Sequence, residues 1–256
     1  LSTTRTAVIT GAGAEKGIGR AVAEAYAAAG WSLALLDLDG DAAAAVAATL
    51  SEAYGVSSFA GVVDVADEAS VSAAQSAIAE QVENGQLPPV GALANIAGIT
   101  SPVPFLETSL ALWNKVLAVN ATGTYLVTRA FLPDMLDRGF GRIVNMSSVS
   151  AQRGGGVFGK VPYSAAKAAI LGFTKALARE LGSSGVTINA VAPGAVDTNI
   201  RVGSTDEQEA AIVRDIPLGR TASPKEIADV IVFLSSAEAG YLQGTTIDIN
   251  GGSHLH

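Results

Sequence analysis

The sequence predicts an α/β fold: a single doubly wound domain with a seven-stranded parallel sheet and helices on both faces. Three observations predict it. Short runs of continuous apolar residues alternate with helical stretches along the chain, as expected of strands buried on both faces. A glycine-rich turn, Thr10-Gly-Ala-Gly-Ala-Glu-Lys-Gly-Ile-Gly19, directly follows the first apolar run. No repeat or low-complexity linker divides the 256 residues, a length that one such domain fills.

The elements follow in order. Thr6–Thr10 reads as a strand, and Ile18–Ala29 beyond the glycine turn as a helix closed by Gly30. Trp31–Leu36 is the second strand, ending at Asp37, and Asp39–Tyr54 a helix stopped by Gly55. Ser58–Val63 and Ala92–Ile96 are strands on either side of a helix over Glu68–Glu83. A long helical stretch, in one or two pieces, spans Ser109–Arg138. Arg142–Met146 is a strand, Tyr163–Leu181 a helix and Val186–Val191 a strand. Asp197–Asp215 is polar and irregular with some helix, Pro224–Leu234 is a helix, and Thr245–Ile249 the last strand. In doubly wound sheets ligands sit beyond the carboxyl ends of the strands, which is where the polar signals of this chain cluster.

Composition removes several function classes. Apolar residues make up 49% and charged residues 16%, a balance that suits a large core and argues against disorder. The longest apolar runs, such as Ala42–Ala48, are short and alanine-rich, so no membrane span or membrane partner is expected. The first residues lack the basic-then-apolar pattern of a signal peptide, which points to a cytoplasmic protein. Net charge is −8 without a basic patch, so no nucleic-acid partner is expected. There is no cysteine, hence no disulfide and no thiolate chemistry. The only histidines are His254 and His256. A Ser-His-Asp triad or a histidine zinc site inside the fold is therefore not expected, and no metal is. Proton transfer falls to Tyr, Lys, Asp or Glu.

The glycines after the first strand let the backbone approach a pyrophosphate, and the helix behind them offers free N–H groups and a positive dipole end. Asp37 stands about twenty residues further on, where such folds place an acid on the adenosine ribose. A carboxylate there accepts from both ribose hydroxyls and repels the 2′-phosphate of NADP, which favours NAD. The other reading of Asp37 is a helix cap, since Asp39 and Asp41 follow, and Lys16 beside the glycines speaks for a 2′-phosphate. Asp64 and Val65 end the third strand, either as an adenine contact or as an ordinary cap before Glu68.

Tyr163-Ser-Ala-Ala-Lys167 opens a helix. Positions i and i+4 share a face, so the phenol and the ammonium can address one spot. A nearby positive charge favours the phenolate, giving an acid/base without histidine. Asn145-Met-Ser-Ser148 ends the preceding strand, and Asn120 sits in mid-helix, where asparagine is a poor helix former and needs a partner or a water if buried. Asn95-Ile-Ala-Gly98 ends the fourth strand, and Pro193-Gly-Ala-Val-Asp-Thr198 follows the sixth.

This ordered set resembles the classical short-chain dehydrogenase/reductase family along essentially the whole chain. The resemblance implies a single-domain Rossmann fold over 1–256 with a substrate lid at about 197–217, and a homotetramer or homodimer. It implies Tyr163 as the proton donor or acceptor, and Lys167 as holder of the nicotinamide ribose that also lowers the tyrosine pKa. Ser148 would bind the substrate oxygen, and Asn120 would hold a relay water. Gly11, Gly17, Ile18 and Gly19 would form the pyrophosphate turn. Asn95, Ala97 and Gly98 would line the adenosine side, and Pro193, Gly194, Val196 and Thr198 would hold the carboxamide. Three features depart from the family pattern. The glycine turn is two residues longer, leaving Gly13 as an alternative to Gly11; Asn-Asn-Ala-Gly reads Asn95-Ile96; and the serine-to-tyrosine loop is two residues longer. The strand end selects Ser148 as the catalytic serine, and counting back from Tyr163 selects Ser150.

The implied function is hydride transfer between NAD(H) and a secondary alcohol or ketone, with NADP less favoured. A sugar, polyol or other small hydroxy compound is the expected substrate, and a 3-oxoacyl thioester the alternative. A non-catalytic NAD-binding sensor or scaffold is the reading from another class; it would be expected to lose part of the Asn-Ser-Tyr-Lys set. Related enoyl reductases generally space the tyrosine and lysine more widely. The pocket would be built from Gln152–Pro162, with its glycines either mobile or tightly turned, and from Asn199–Pro217. Arg153, Lys160, Arg201 and Arg214 are the cations available there to an anionic or polyhydroxylated substrate, or are solvated surface charges.

Overall fold

The computed structural model describes residues 5–198 and 205–255. Seven strands form one sheet in the order β3-β2-β1-β4-β5-β6-β7, every neighbouring pair parallel. They are β1 (Thr6–Thr10), β2 (Ser32–Asp37), β3 (Ser58–Val62), β4 (Val90–Asn95), β5 (Gly141–Met146), β6 (Val186–Pro193) and β7 (Thr246–Ile249). The order reverses between β1 and β4, so a crevice opens at their carboxyl ends.

Side chains alternate across the sheet, and each face buries its own apolar set. Ala7, Ile9, Leu33 and Leu35 face one layer. That layer is built by α1 (Ile18–Ala28), α2 (Gly40–Tyr54) and α9 (Pro224–Leu234), through Val22, Tyr26, Val46, Ile227 and Ile231. Val8, Leu36, Leu93, Ile143 and Ile188 face the other layer. There α3 (Glu68–Glu83) and a helix over Gly123–Asp137, which becomes α5, supply Val71, Ile78, Phe131 and Met135. Because both faces are covered, the strands read as continuous apolar runs.

Several boundaries differ from the sequence reading, each for a local reason. The stretch from Ser109 to Arg138 divides into α4 (Leu110–Leu117) and α5, joined by a π-helical turn over Ala118–Thr122 with Asn120 at its middle. A short helix, α6 (Ser150–Arg153), stands where only a loop was expected; Gly154 ends it at φ +89°. The helix of Tyr163, α7 (Val161–Leu181), starts two residues early because Pro162 fits its first turn. Thr205 and Gln208 form a capping box that starts α8 (Asp206–Arg214) inside the polar segment. Among the described residues no helix is long and apolar enough to cross a membrane.

Candidate active site

The glycine turn is shaped by close approach. Gly11 takes a left-handed φ of +71°, and a Cβ there would stand 2.9 Å from Ala97 Cα. A Cβ on Gly19 would lie 2.0 Å from the Gly11 carbonyl oxygen, so α1 packs onto the strand end only because both positions are glycine. Gly17 closes the turn by donating its N–H to Ala14 O at 2.9 Å. Gly13 has another role: its N–H donates to Asp37 Oδ2 at 2.7 Å. Gly19→Ala is expected to destabilise the fold by about 1–3 kcal/mol through overpacking, read by chemical denaturation.

Asp37 ends β2, and its Oδ1 accepts from Asp39 N–H at 3.1 Å. The cap of α2 is Asp39, whose carboxylate accepts from Ala42 N–H. The two acids thus separate by position, and Asp37 is left at the crevice against the glycine turn. Asp64 is exposed and organises its loop by accepting from Ala66 N–H at 2.9 Å, while Asp67 caps α3. Val65 is buried against Gly123 at the start of α5. Ile18 is half-buried on the core side of the turn.

Asn95, expected to line the adenosine side, is buried, and its Oδ1 has no hydrogen-bond partner among the described residues. Its Nδ2 donates to Asn145 Oδ1 at 2.8 Å and to Thr128 Oγ1 at 3.0 Å, and Asn145 Nδ2 donates to Thr174 Oγ1 at 3.0 Å. This buried chain locks β4, β5, α5 and α7 below the crevice, so the Asn95 side chain positions the site from beneath. Thr10, given no role by the sequence reading, does the same at the next junction. Its hydroxyl accepts from the N–H groups of Ile96 and Ala97, both at 3.1 Å.

The chemical end assembles on β5, α7 and the π turn. Lys167 is 3% exposed, and its ammonium donates to Met146 O at 2.7 Å. Ser147 Oγ donates to the Lys167 carbonyl at 2.9 Å, so the strand end and the helix are tied twice at one residue. Among the described residues no carboxylate pairs with this ammonium, and burial pushes its pKa down to about 7. Lys167 Nζ lies 5.7 Å from the centre of the Tyr163 ring. Burial pushes the Tyr163 phenol up from its ordinary value, and a hydrogen bond with the Ser148 hydroxyl pulls the other way. Ser148 Oγ also accepts the Ser150 N–H at 3.1 Å, at the start of α6. Ser150 turns its own hydroxyl toward Gly159, whose backbone covers the Tyr163 ring.

Asn120 is fully buried. Its Nδ2 donates to Val116 O and Ile99 O, both at 2.9 Å, and its Oδ1 has no partner. A Cβ added at Gly98 would stand 2.6 Å from that Oδ1 and 3.3 Å from Lys167 Nζ. An unsatisfied acceptor and a buried ammonium therefore converge over a residue with no side chain. Such an acceptor is costly unless a further group or water reaches it. The donor set, the glycine approach and this open acceptor fit a dinucleotide lying across the crevice with its reactive end at Tyr163.

The lysine makes stability depend on pH in a definite direction. The unfolded chain keeps this proton up to the ordinary lysine value of 10.5, whereas the folded chain loses it near 7. The unfolded state thus binds more protons across that window, and the group makes folding stability rise with pH there. Lys167→Met is expected to flatten this slope, read as Tm between pH 7 and 9.5 without cofactor.

Gly194 N–H donates to Ile249 O at 2.9 Å, Val196 bridges to Ala222, and Val149 N–H donates to Pro193 O at 2.9 Å. Pro193, Gly194 and Val196 thus stand beside the serine turn, and Thr198 is half-buried just beyond. The Gln152–Pro162 loop is tightly turned: Gly154 and Gly155 have φ of +89° and +104°, and Ser101 bridges to Gly159. Arg153 is engaged with Asp215 and with the Ser253 carbonyl rather than open to a ligand. Lys160 and Arg214 are exposed, and Arg201 lies outside the described residues.

Residues 11–254 match the model of a family described as enoyl-(acyl carrier protein) reductase. The chain is 42% identical to an uncharacterised short-chain type dehydrogenase/reductase of Sinorhizobium fredii, over 98% of both chains. It is 41% identical to a 3-oxoacyl-[acyl-carrier-protein] reductase of Aquifex aeolicus, over 94% of both. It is 45% identical to an acetoacetyl-CoA reductase of Allochromatium vinosum, over 67% of this chain and 69% of that one. A crystal structure of a candidate gluconate dehydrogenase from Agrobacterium tumefaciens superposes with a TM-score of 0.89 at 31% identity, covering 97% of this chain and 95% of that one. With a matching family model along nearly its whole length and relatives above 40% identity over as much, the chain belongs to the short-chain dehydrogenase/reductase family, whose oxidoreductases bind a nicotinamide cofactor.

Proposed function

We propose that the protein is an NAD(H)-dependent 3-oxoacyl thioester reductase, reversible as a 3-hydroxyacyl thioester dehydrogenase. The observation that carries the reaction type is the meeting of Tyr163, Ser148 and Lys167 at one crevice mouth with no histidine, acid or metal ligand among them. When bound, the nicotinamide supplies the hydride for reduction and accepts it in oxidation. The substrate oxygen sits on the Ser148 hydroxyl and the Tyr163 phenol. In reduction the phenol gives that oxygen its proton, so a carbonyl becomes an alcohol and Tyr163 a phenolate. The Lys167 ammonium stabilises the phenolate, and a water on Asn120 Oδ1 returns the proton through Lys167.

The cofactor is held by Gly11, Gly17, Ile18 and Gly19 at the pyrophosphate, with Asp64 and Val65 beside the adenine and Ala97 and Gly98 along the middle. Pro193, Gly194, Val196 and Thr198 receive the carboxamide, and Lys167 the nicotinamide ribose. Asp37 takes the adenosine ribose, which supports NAD over NADP because its carboxylate is already fixed on the glycine turn. Ser148 rather than Ser150 is the catalytic serine on this reading, since it is the Ser148 hydroxyl that offsets the effect of burial on the Tyr163 phenol; Ser150 remains at the substrate side. Thioester chemistry rests on the names of two relatives, one 41% identical over 94% of this chain and one 45% identical over 67% of it.

A sugar acid is the second reading, favoured by the gluconate dehydrogenase candidate at 31% identity. The two separate in one assay. Turnover is followed at the reduced-nicotinamide band with acetoacetyl-CoA and NADH, and with gluconate and NAD. The proposal expects kcat/KM for the thioester to exceed that for gluconate by about 100-fold, roughly 2.7 kcal/mol of transition-state discrimination. The reverse preference would move the assignment to sugar acids. Silence with both, while NADH still binds, would favour the sensor.

A further inference from the structure

Two consecutive residues of the one-turn helix α6 reach out to distant parts of the chain. Gln152 Nε2 donates to Asp248 Oδ1 on β7 at 2.7 Å. Arg153 Nη1 pairs with Asp215 Oδ2 at 2.5 Å and donates to the Ser253 carbonyl at 2.8 Å. Asp215 is the residue that ends α8, and Ser253 belongs to the last turn of the chain. Those two segments also touch one another. Leu218 N–H donates to Gly251 O at 3.2 Å, and a Cβ on Gly251 would stand 2.7 Å from Ile216 Cγ2. The other end of α6 is the reaction site, since its first residue, Ser150, gives its N–H to Ser148 Oγ.

We propose that Arg153 is a positioning residue. It latches α8 and the terminal turn to the short helix that fixes the Ser148 hydroxyl, so that one guanidinium sets the placement of all three around the substrate. The chemistry suits a latch rather than a permanent staple. The pair is partly open to solvent, with side-chain exposures of 33% for Arg153 and 56% for Asp215. Ion pairs of that kind are weak and screened by salt, so this one holds α8 and the terminal turn without fixing them permanently. Both contacts are made by one nitrogen, Nη1, whose two N–H groups hold a carboxylate and a carbonyl together. Gly154, left-handed directly after Arg153, ends α6 there and fixes the direction from which the side chain leaves.

The exchange arm of the test needs no substrate, so it stands apart from the thioester reading. Amide hydrogen exchange is followed by mass spectrometry on the full chain with NADH bound, at low and high salt. The variants are Arg153→Met, Arg153→Lys and the charge-swapped pair Arg153→Asp with Asp215→Arg. Arg153→Met is expected to speed exchange in residues 206–215 and 250–255 together by about two- to fivefold, and to abolish the salt dependence that the wild type shows there. Arg153→Lys is expected to restore both, and the swapped pair to restore slow exchange and salt dependence in residues 206–215 alone, since an aspartate at position 153 has no donor for the Ser253 carbonyl. In turnover, Arg153→Met raises KM while kcat stays within about twofold, as expected when ground-state and transition-state placement are lost alike. Wild-type exchange and salt dependence in Arg153→Met would overturn the proposal. So would a uniform rise over the whole chain that the swapped pair fails to correct.

Discussion

Tyr163→Phe is expected to lower turnover by about 10²- to 10⁴-fold, the range that positioned acid–base groups contribute, while NADH affinity stays within a few-fold of wild type. The ring keeps its place because Gly159 lies over it and Pro162 starts the helix that carries it. Only the hydroxyl is removed, with whatever interaction it makes with Ser148. Losing one hydrogen bond costs about 0.5–1.5 kcal/mol of stability, so the variant folds and the loss is chemical. Single-turnover kinetics with bound NADH separate the step from binding. The sign of the pH dependence follows from the raised phenol. Reduction needs the protonated phenol and declines as pH climbs through its pKa; oxidation needs the phenolate and rises over the same interval. Both limbs are expected to vanish in Tyr163→Phe, leaving a flat residual rate.

Asp37→Ser is the second large effect, and it concerns which dinucleotide enters. On the proposed reading, the Asp37 carboxylate, held by Gly13 N–H and Asp39 N–H, would stand where a 2′-phosphate would have to sit. Placing like charges together costs several kcal/mol. Serine retains an acceptor for the Gly13 N–H and removes the charge. The ratio of kcat/KM for NAD over NADP is expected to fall by about 100-fold or more, roughly 2.7 kcal/mol. Most of the change should come through the cofactor KM. Lys16, exposed in the same turn, then becomes a favourable neighbour for the phosphate. An unchanged ratio would remove Asp37 from the ribose role.

Much of this site was legible in one dimension because its chemistry is carried by short-range spacing. Tyr163 and Lys167 lie four apart on one helix, and Ser148 ends a strand. Asn120 stood out as a poor helix former in a helical run, and the structure answers with a π turn, a common device at functional sites. The strands were legible because both sheet faces are covered, which makes them unbroken apolar runs. What escaped depends on contacts between distant residues. Asn95 ends β4 as expected, but its side chain turns down to Asn145, 50 residues on, and no periodicity reveals that. Gly13 could not be separated from Gly11 until the fold put one beside Asp37 and the other beneath Gly19. Likewise α6 is a single turn, too short for a pattern, and Arg153 finds Asp215 only through the tertiary fold.

The central claim is that the crevice mouth reduces a carbonyl, with the proton coming from Tyr163. The most direct test follows the label from NADH deuterated at the transferable position of its nicotinamide. Acetoacetyl thioester and crotonyl thioester are offered in turn, and the products are read by mass spectrometry and NMR. The account predicts one deuterium on the carbinol carbon, C3, of a 3-hydroxyacyl product, formed from acetoacetyl thioester by the wild type and not by Tyr163→Phe, with crotonyl thioester left unchanged. A saturated acyl product from the crotonyl thioester, or full labelling of the 3-hydroxyacyl product by Tyr163→Phe at the wild-type rate, would contradict it.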